Sequence, residues 1–193
     1  VYKRQALRHA VALTGEQQPS TEILITVHRR ESFGDAIREI FRALRELAQA
    51  FPDHRFIYPV HRNPNVRKAA DEVLSGADNL ELHEPFDYLE LVAAMQRARL
   101  ILTDSGGIQE EAPTFGTPVL VLRRTTERPE GVDAGVSRLV GADRETIVAE
   151  ATRLLTDPEA HAAMAQPANP YGDGKAADRI ARILAGEPFQ PFT

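Results

Sequence analysis

The stretch TDSGGIQEEAPTFGTPVLVL, residues 103–122, holds the pattern that decides the fold. It begins where the apolar run LILT (100–103) ends, passes through a glycine-rich turn and a short polar segment, and closes with the apolar run VLVL (119–122). Both runs have the length of a strand and are almost continuously apolar, as strands covered on both faces are. The pattern predicts two buried strands of a parallel sheet and, between them, a helix that begins near Gly107.

The same alternation of strand and helix continues along most of the chain. Four further strands are predicted at ILITV (23–27), FIYPV (56–60), LEL (80–82) and RLV (138–140). Helices are predicted at DAIREIFRALRELAQAF (35–51), NPNVRKAADEVLSG (63–76), YLELVAAMQRA (88–98), RETIVAEATRLLTD (144–157) and GKAADRIARILAG (174–186). We therefore predict an α/β fold, a doubly wound, Rossmann-like parallel sheet with its ligand site at the carboxyl ends of the strands.

Composition narrows the choice of partner. The net charge of -5, with both signs interspersed, argues against a nucleic-acid or membrane surface, and no apolar run approaches the roughly 20 residues of a membrane span. The chain has no cysteine, and its six histidines show no H-x-x-x-H pattern, so neither a metal nor another cofactor is implied. We expect a small-molecule ligand and, since nothing resembles a signal peptide, a cytoplasmic location.

Length and the first residues bear on domain organisation. The 193 residues suffice for one domain, which we predict over 1–193, with a lead-in segment at 1–22 and a C-terminal helix and tail at 175–193. The opening stretch, beginning with Val1, resembles the tail of a preceding segment more than a start. We therefore expect the chain to be part of a longer protein.

The turn after LILT has the composition of an anion site. Ser105, Gly106 and Gly107 open a helix, where unpaired backbone N–H groups and the helix dipole favour a phosphate, and glycine permits its close approach. Neither a Walker loop nor G-x-G-x-x-G is present. A carboxylate one turn later, Glu110 or Glu111, could accept hydrogen bonds from two ribose hydroxyls. A chymotrypsin-like reading of DSGG is disfavoured because those enzymes are all-β and usually carry disulfides.

Polar segments follow four other predicted strands. They are HRRESFGD, HRNPNV, HEPFDYL and RRTTERPEG. Each also has a purely structural reading, because Ser32 or Asp35 could cap a helix, as could Asp104 or Ser105, and Asn63 with Pro64 could start one. Five such segments at one edge of a sheet favour a ligand site over capping alone.

Five motifs carry a resemblance to a known family. They are VHRRESFG (27–34), YPVHRNPNV (58–66), TDSGGIQEEAPTFGTPVLVLR (103–123), TTERPEGVDAGVSRLVG (125–141) and NPYGDGKAADRI (169–180). In this order and spacing they resemble the non-hydrolysing bacterial UDP-N-acetylglucosamine 2-epimerases. That family has two Rossmann-like domains in the GT-B arrangement of nucleotide-sugar glycosyltransferases. The chain resembles the second domain, and the first, which supplies the catalytic carboxylates, has no counterpart here.

The resemblance implies roles for individual residues. His28 resembles the active-site histidine near the diphosphate, Ser105, Gly106 and Gly107 the diphosphate loop, Glu111 the ribose ligand, and Arg128 a further nucleotide contact. Positions matching Phe86 and Leu91 contact uracil, and positions matching Arg29 and His61 help bind a second, activating UDP-N-acetylglucosamine.

The function implied is interconversion of UDP-N-acetylglucosamine and UDP-N-acetylmannosamine by elimination and re-addition of UDP. The resemblance further implies a homodimer for the full-length protein, formed chiefly through the domain without a counterpart here, and an inactive isolated chain. Three alternatives stay open: a hydrolysing 2-epimerase, a GT-B glycosyltransferase, and a non-catalytic UDP-sugar-binding module.

Overall fold

The computed structural model describes residues 20–191. The predicted lead-in segment up to residue 19 and the last two residues of the tail lie outside the described residues. The strands are β1 Glu22–Thr26, β2 Arg55–Pro59, β3 Leu80–His83, β4 Leu100–Thr103, β5 Val119–Val121 and β6 Ser137–Leu139. The six predicted strands are thereby confirmed, with small shifts at their ends.

Eight helices lie in the described residues. They are α1 Asp35–Ala50, α2 Pro64–Leu74, α3 Tyr88–Arg97, α4 Gly106–Glu111, α5 Pro129–Asp133, α6 Arg144–Thr156, α7 Pro158–Met164 and α8 Ala176–Leu184, besides 3-10 turns at Arg30–Ser32 and Ala112–Phe115. All predicted helices are confirmed. The sequence analysis missed α5 and α7, which are too short to show a helical period and each begin with proline. No helix within residues 20–191 is long and apolar enough to cross a membrane.

The six strands form one parallel sheet in the order β3-β2-β1-β4-β5-β6. This is the Rossmann order, and it confirms the predicted doubly wound α/β fold. The order reverses between β1 and β4, which pair in register from Ile23 opposite Leu100 to Thr26 opposite Thr103. Connections leave β1 and β4 in opposite directions, so a crevice opens at their carboxyl ends.

Helices cover both faces of the sheet, which explains the continuously apolar strands. Ile23 and Ile25 point into the larger core, which is completed by residues of α1, α2, α6 and α7. Leu24, between them, points into the second core, with residues of α3 and α4. Successive side chains of a strand alternate between the two faces of the sheet, so one strand contributes to both cores. Every position of such a strand therefore favours an apolar residue.

Helix α1 carries the largest apolar stripe. Phe41, Leu44 and Leu47 are fully buried against the sheet, and each such burial contributes about 1.5–3 kcal/mol. By contrast, α8 is amphipathic but buries none of its residues, and Ile180 and Ile183 on it are more than half exposed. The fold is therefore anchored by α1, whereas α8 adds no residue to either core.

Candidate functional site

A pocket of about 160 Å³ opens at the point where the strand order reverses. Five predicted site residues line it: His28, His61, Phe86, Leu91 and Ser105. They follow four different strands, and meet because the carboxyl ends of parallel strands share one edge. The remaining predicted residues, Arg29, Gly106, Gly107, Glu111 and Arg128, are not among the residues lining this pocket.

Asp104, the first residue after β4, organises the loop after β1. Its side chain is fully buried. Its Oδ2 accepts the backbone N–H groups of His28 at 2.9 Å and of Arg29 at 2.8 Å, and its Oδ1 lies 3.4 Å from Nδ1 of His28. The capping role considered for Asp104 is therefore wrong, because its carboxylate faces β1 and the loop that follows it. Arg29 meets this site through its backbone.

His28 is a half-buried imidazole beside a second ring. It stacks on His61 with ring centroids 5.3 Å apart and an interplanar angle of 17°. Burial lowers the pKa of His28, an effect that Asp104 opposes and that His61 and Arg29 reinforce. Burial likewise raises the pKa of Asp104, against the hydrogen bonds and cations that favour its anion. Burial thus favours the neutral form of the His28 imidazole.

Threonine hydroxyls shape the turn that leads into α4. The side chains of Thr26 and Thr103 lie 2.5 Å apart, and Oγ1 of Thr103 accepts the N–H of Ser105 at 2.9 Å. Ser105 occupies the N-cap position but its side chain makes no capping hydrogen bond. The capping reading of Ser105 is therefore wrong as well, and its hydroxyl is available to a ligand at the helix N-terminus.

Arg128 lies against the start of α4. A Cβ atom built on Gly106 would lie 3.0 Å from Cζ of Arg128, so the guanidinium packs directly on this glycine. Nε of Arg128 pairs with Glu110 at 2.8 Å, and its NH1 lies 3.4 Å from Glu127. The pairing with Glu110 holds a positive group beside the predicted diphosphate loop.

Glu111 lies on the same helix as Glu110 but has a different partner. It is buried, at 7% exposure, and forms a side-chain hydrogen bond with Tyr88 at the start of α3. Burial and Glu111 together raise the pKa of Tyr88 to about 12, so this phenol stays a donor at any physiological pH. Of the two candidate glutamates, Glu110 therefore pairs with Arg128, and Glu111 faces a hydrogen-bond donor.

Arg123, which sequence analysis did not single out, links two of the polar segments. Its side chain is only 6% exposed and pairs with both carboxylate oxygens of Glu127, at 2.8 and 2.9 Å. Its Nε lies 2.6 Å from Glu31 in the loop after β1. The sequence does contain a signal that could have identified Arg123, namely an arginine directly after a buried strand. A cation at such a position needs acidic partners.

Tyr171, in the last of the five motifs, supports α5. Its hydroxyl accepts the backbone N–H of Gly131 at 3.1 Å and lies 3.4 Å from the carbonyl of Arg128. A side chain at Gly131 would meet this hydroxyl at 2.6 Å, so the contact requires glycine. Through Tyr171, the motif NPYGDGKAADRI thus fixes the backbone at Arg128. The sequence of the motif did not indicate this contact.

Residues 2–185 match the sequence model of a family described as UDP-N-acetylglucosamine 2-epimerase. The chain belongs to this family. The membership predicted from five motifs is thereby confirmed. A UDP-N-acetylglucosamine 2-epimerase of Escherichia coli K12 is 54% identical over 162 residues, which are 84% of this chain and 43% of that protein.

Solved structures of epimerases share the fold. The UDP-GlcNAc 2-epimerase of Neisseria meningitidis, bound to UDP-GlcNAc, matches 97% of this chain and 50% of its own, with a TM-score of 0.83 and 44% identity. The enzyme of Methanocaldococcus jannaschii, in complex with UDP-GlcNAc and UDP, matches 94% of this chain and 49% of its own, with a TM-score of 0.71 and 31% identity. The chain spans about half the length of these epimerases.

Proposed function

We propose that this chain is the UDP-binding half of an epimerase that interconverts UDP-N-acetylglucosamine and UDP-N-acetylmannosamine without net hydrolysis. One observation carries the proposal: residues predicted from separate motifs of this family line a single pocket where the sheet order reverses. Open α/β sheets bind ligands at that position. The ligand named in the related structures, UDP-GlcNAc, fits the chemistry of the pocket and its surroundings.

The parts of UDP are assigned to different residues. The diphosphate binds at Ser105, Gly106 and Gly107, where backbone N–H groups and the adjacent Arg128 supply positive potential. The buried Glu111 carboxylate accepts hydrogen bonds from the ribose hydroxyls. Phe86 and Leu91 form the apolar end of the pocket and contact uracil, a planar base. Arg29 and His61 contribute to a second UDP-sugar site.

The reaction is an elimination followed by re-addition. A base removes the proton from C2 of the sugar, UDP leaves C1, and UDP returns after protonation of C2 on the opposite face. His28, protonated at the diphosphate, stabilises the departing UDP. The chain spans 43% of its Escherichia coli relative, and we assign the acid and base at C2 to the part of the enzyme that it does not span. We therefore expect the chain to bind UDP without turning over the sugar nucleotide.

Calorimetric titration of the 193-residue chain with UDP tests the proposal. Saturable binding is expected, weakened about tenfold by Ser105→Ala and by Glu111→Ala, since each removes a hydrogen bond to an ionised or ribose group. Matched controls are Ser75→Ala and Glu145→Ala, which alter exposed residues that do not line the pocket. Absence of UDP binding by a chain that unfolds cooperatively, or equal losses in the controls, would overturn the proposal.

A further inference from the structure

We propose that Asp104 is a positioning residue that holds His28 as the tautomer protonated at Nδ1 and directs Nε2 to the nucleotide pocket. The tautomer follows from the geometry of the chain alone, and its effect on UDP binding rests on the function proposed above. Asp104 itself does not line the pocket, so it acts through His28.

The Asp104 carboxylate holds the backbone at His28 and lies beside its ring. The backbone N–H of His28 lies 3.1 Å from Oδ1 and 2.9 Å from Oδ2, and the N–H of Arg29 lies 2.8 Å from Oδ2. The backbone N–H of Asp104 in turn donates to the carbonyl of Thr26 at 3.1 Å, extending the pairing of β1 with β4. The carboxylate thus accepts the backbone N–H groups of His28 and Arg29, while the backbone of Asp104 pairs with β1.

The ring nitrogen Nδ1 is the one that faces this carboxylate. Nδ1 lies 3.4 Å from Oδ1, and the carboxylate is acceptor-only when ionised, so the neutral imidazole places its proton on Nδ1. No described residue is hydrogen bonded to Nε2, and His28 lines the pocket. The lone pair of Nε2 is therefore offered to the pocket.

The charged neighbours of His28 are consistent with this arrangement. Asp104 is the acidic group beside the ring, whereas His61 and Arg29 are cationic or potentially cationic and disfavour a second positive charge. Tyr58, on the neighbouring β2, donates its hydroxyl to the carbonyl of Val27 at 2.8 Å, and therefore does not compete for Nδ1. An anion in the pocket would favour protonation of Nε2, and Asp104 would stabilise the resulting imidazolium.

The arrangement predicts proton uptake when UDP binds. In the native chain Nε2 takes a proton from the buffer and then donates it in a hydrogen bond to a diphosphate oxygen. In Asp104→Asn, the amide oxygen still accepts the backbone N–H groups, but the amide nitrogen donates to Nδ1. This shifts the proton of the neutral ring to Nε2, which can then donate to UDP without uptake.

Long-range ¹H–¹⁵N spectra of chain labelled at its histidine rings report the tautomer directly. The His28 signals are identified by their absence from His28→Gln. Above the histidine pKa, we expect Nδ1–H in the native chain and Nε2–H in Asp104→Asn. Asp143→Asn, which alters the cap of α6, is the matched control and should leave the His28 tautomer unchanged. Calorimetry in buffers of different ionisation enthalpy should show UDP-linked proton uptake in the native chain, and uptake lost with about tenfold weaker binding in Asp104→Asn.

The outcomes separate this proposal from the proposed function. Nε2–H in the native chain overturns the positioning role, and this measurement requires neither UDP nor a folded Asp104→Asn chain. An unchanged tautomer in a folded Asp104→Asn chain overturns it too. The expected tautomers without any UDP binding would support the positioning role and contradict the proposed function.

Discussion

The guanidinium of Arg128 rests on Gly106, so that a methyl group on this glycine would lie 3.0 Å from Cζ of the arginine. The contact brings a cation from the segment before α5 onto the first residue of α4. It exists because Gly106 has no side chain and because Glu110 holds Nε of Arg128 at 2.8 Å. The glycine therefore makes room for a protein cation as well as for a ligand.

Gly106→Ala is expected to weaken UDP binding by moving Arg128. The added methyl would lie closer to the guanidinium than ordinary van der Waals contact allows, so the flexible arginine moves away and the diphosphate loses about tenfold in affinity. Calorimetry of Gly106→Ala, Arg128→Ala and the double variant measures this. If the glycine acts through the arginine, the double variant binds no worse than Arg128→Ala. Additive losses would instead assign the effect to contact between the methyl and the ligand.

Tyr88→Phe is expected to reduce the preference for ribose over deoxyribose. The Tyr88 hydroxyl hydrogen bonds with Glu111, and without it the carboxylate is less firmly oriented toward the two ribose hydroxyls that we propose it binds. Titration with UDP and with 2′-deoxy-UDP gives the preference. We expect it to fall about tenfold in Glu111→Gln and by a smaller factor in Tyr88→Phe. An equal loss of affinity for both nucleotides in Tyr88→Phe would contradict this role.

The contribution of His54 to the stability of the chain is expected to rise with pH between about 5 and 7. Burial, reinforced by Arg99, lowers the pKa of His54, and its Nδ1 is buried without a hydrogen-bond partner in the structure. As the pH falls below the ordinary value of 6.5, the unfolded chain therefore takes up a proton before the folded chain does, and the free energy of unfolding decreases.

Urea unfolding of the native chain and of His54→Gln at several pH values tests this. The difference in unfolding free energy between the two should depend on pH in this range and become constant above it. The unfolding free energy of His54→Gln should still depend in part on pH, because the pKa of His28 is lowered as well. A difference that does not vary with pH would exclude His54 as its source.

Leu44→Ala is expected to destabilise the chain by about 2–5 kcal/mol. Leu44 is fully buried in the larger core on α1, so its truncation loses apolar burial and leaves a cavity. Leu89→Ala is the matched control, because Leu89 is 61% exposed on α3, and its effect should stay within about 0.5 kcal/mol. Equal effects in urea unfolding would mean that α1 is not the anchor of the core.

Part of the site could be predicted without coordinates. His28, His61 and Ser105 follow successive strands and line one pocket together with Phe86 and Leu91, which the family resemblance indicated. Their convergence follows from the topology of a parallel sheet, which alternation along the chain already predicts. The short helices α5 and α7 could not be found because they have too few turns to show a period.

Side-chain partners were less predictable. Asp104 fits the sequence pattern of a helix cap, yet its carboxylate accepts N–H groups from the loop after β1. The choice depends on which way the side chain points and on a neighbour some 75 residues away in sequence. The contacts of Tyr88 with Glu111 and of Tyr171 with Gly131 could not be predicted for the same reason: each depends on side-chain direction and on a residue distant in sequence.

The sequence by itself determined the alternation of strands and helices, the family, and the edge of the sheet at which the polar segments lie. These depend on local periodicity and on motifs, which are properties of neighbouring residues. Only the tertiary structure decided that Asp104 holds the His28 loop, that Arg128 covers Gly106, and that Glu110 and Glu111 face different partners. Such pairings arise when packing brings distant segments together, because an unpaired buried charge or polar group costs free energy.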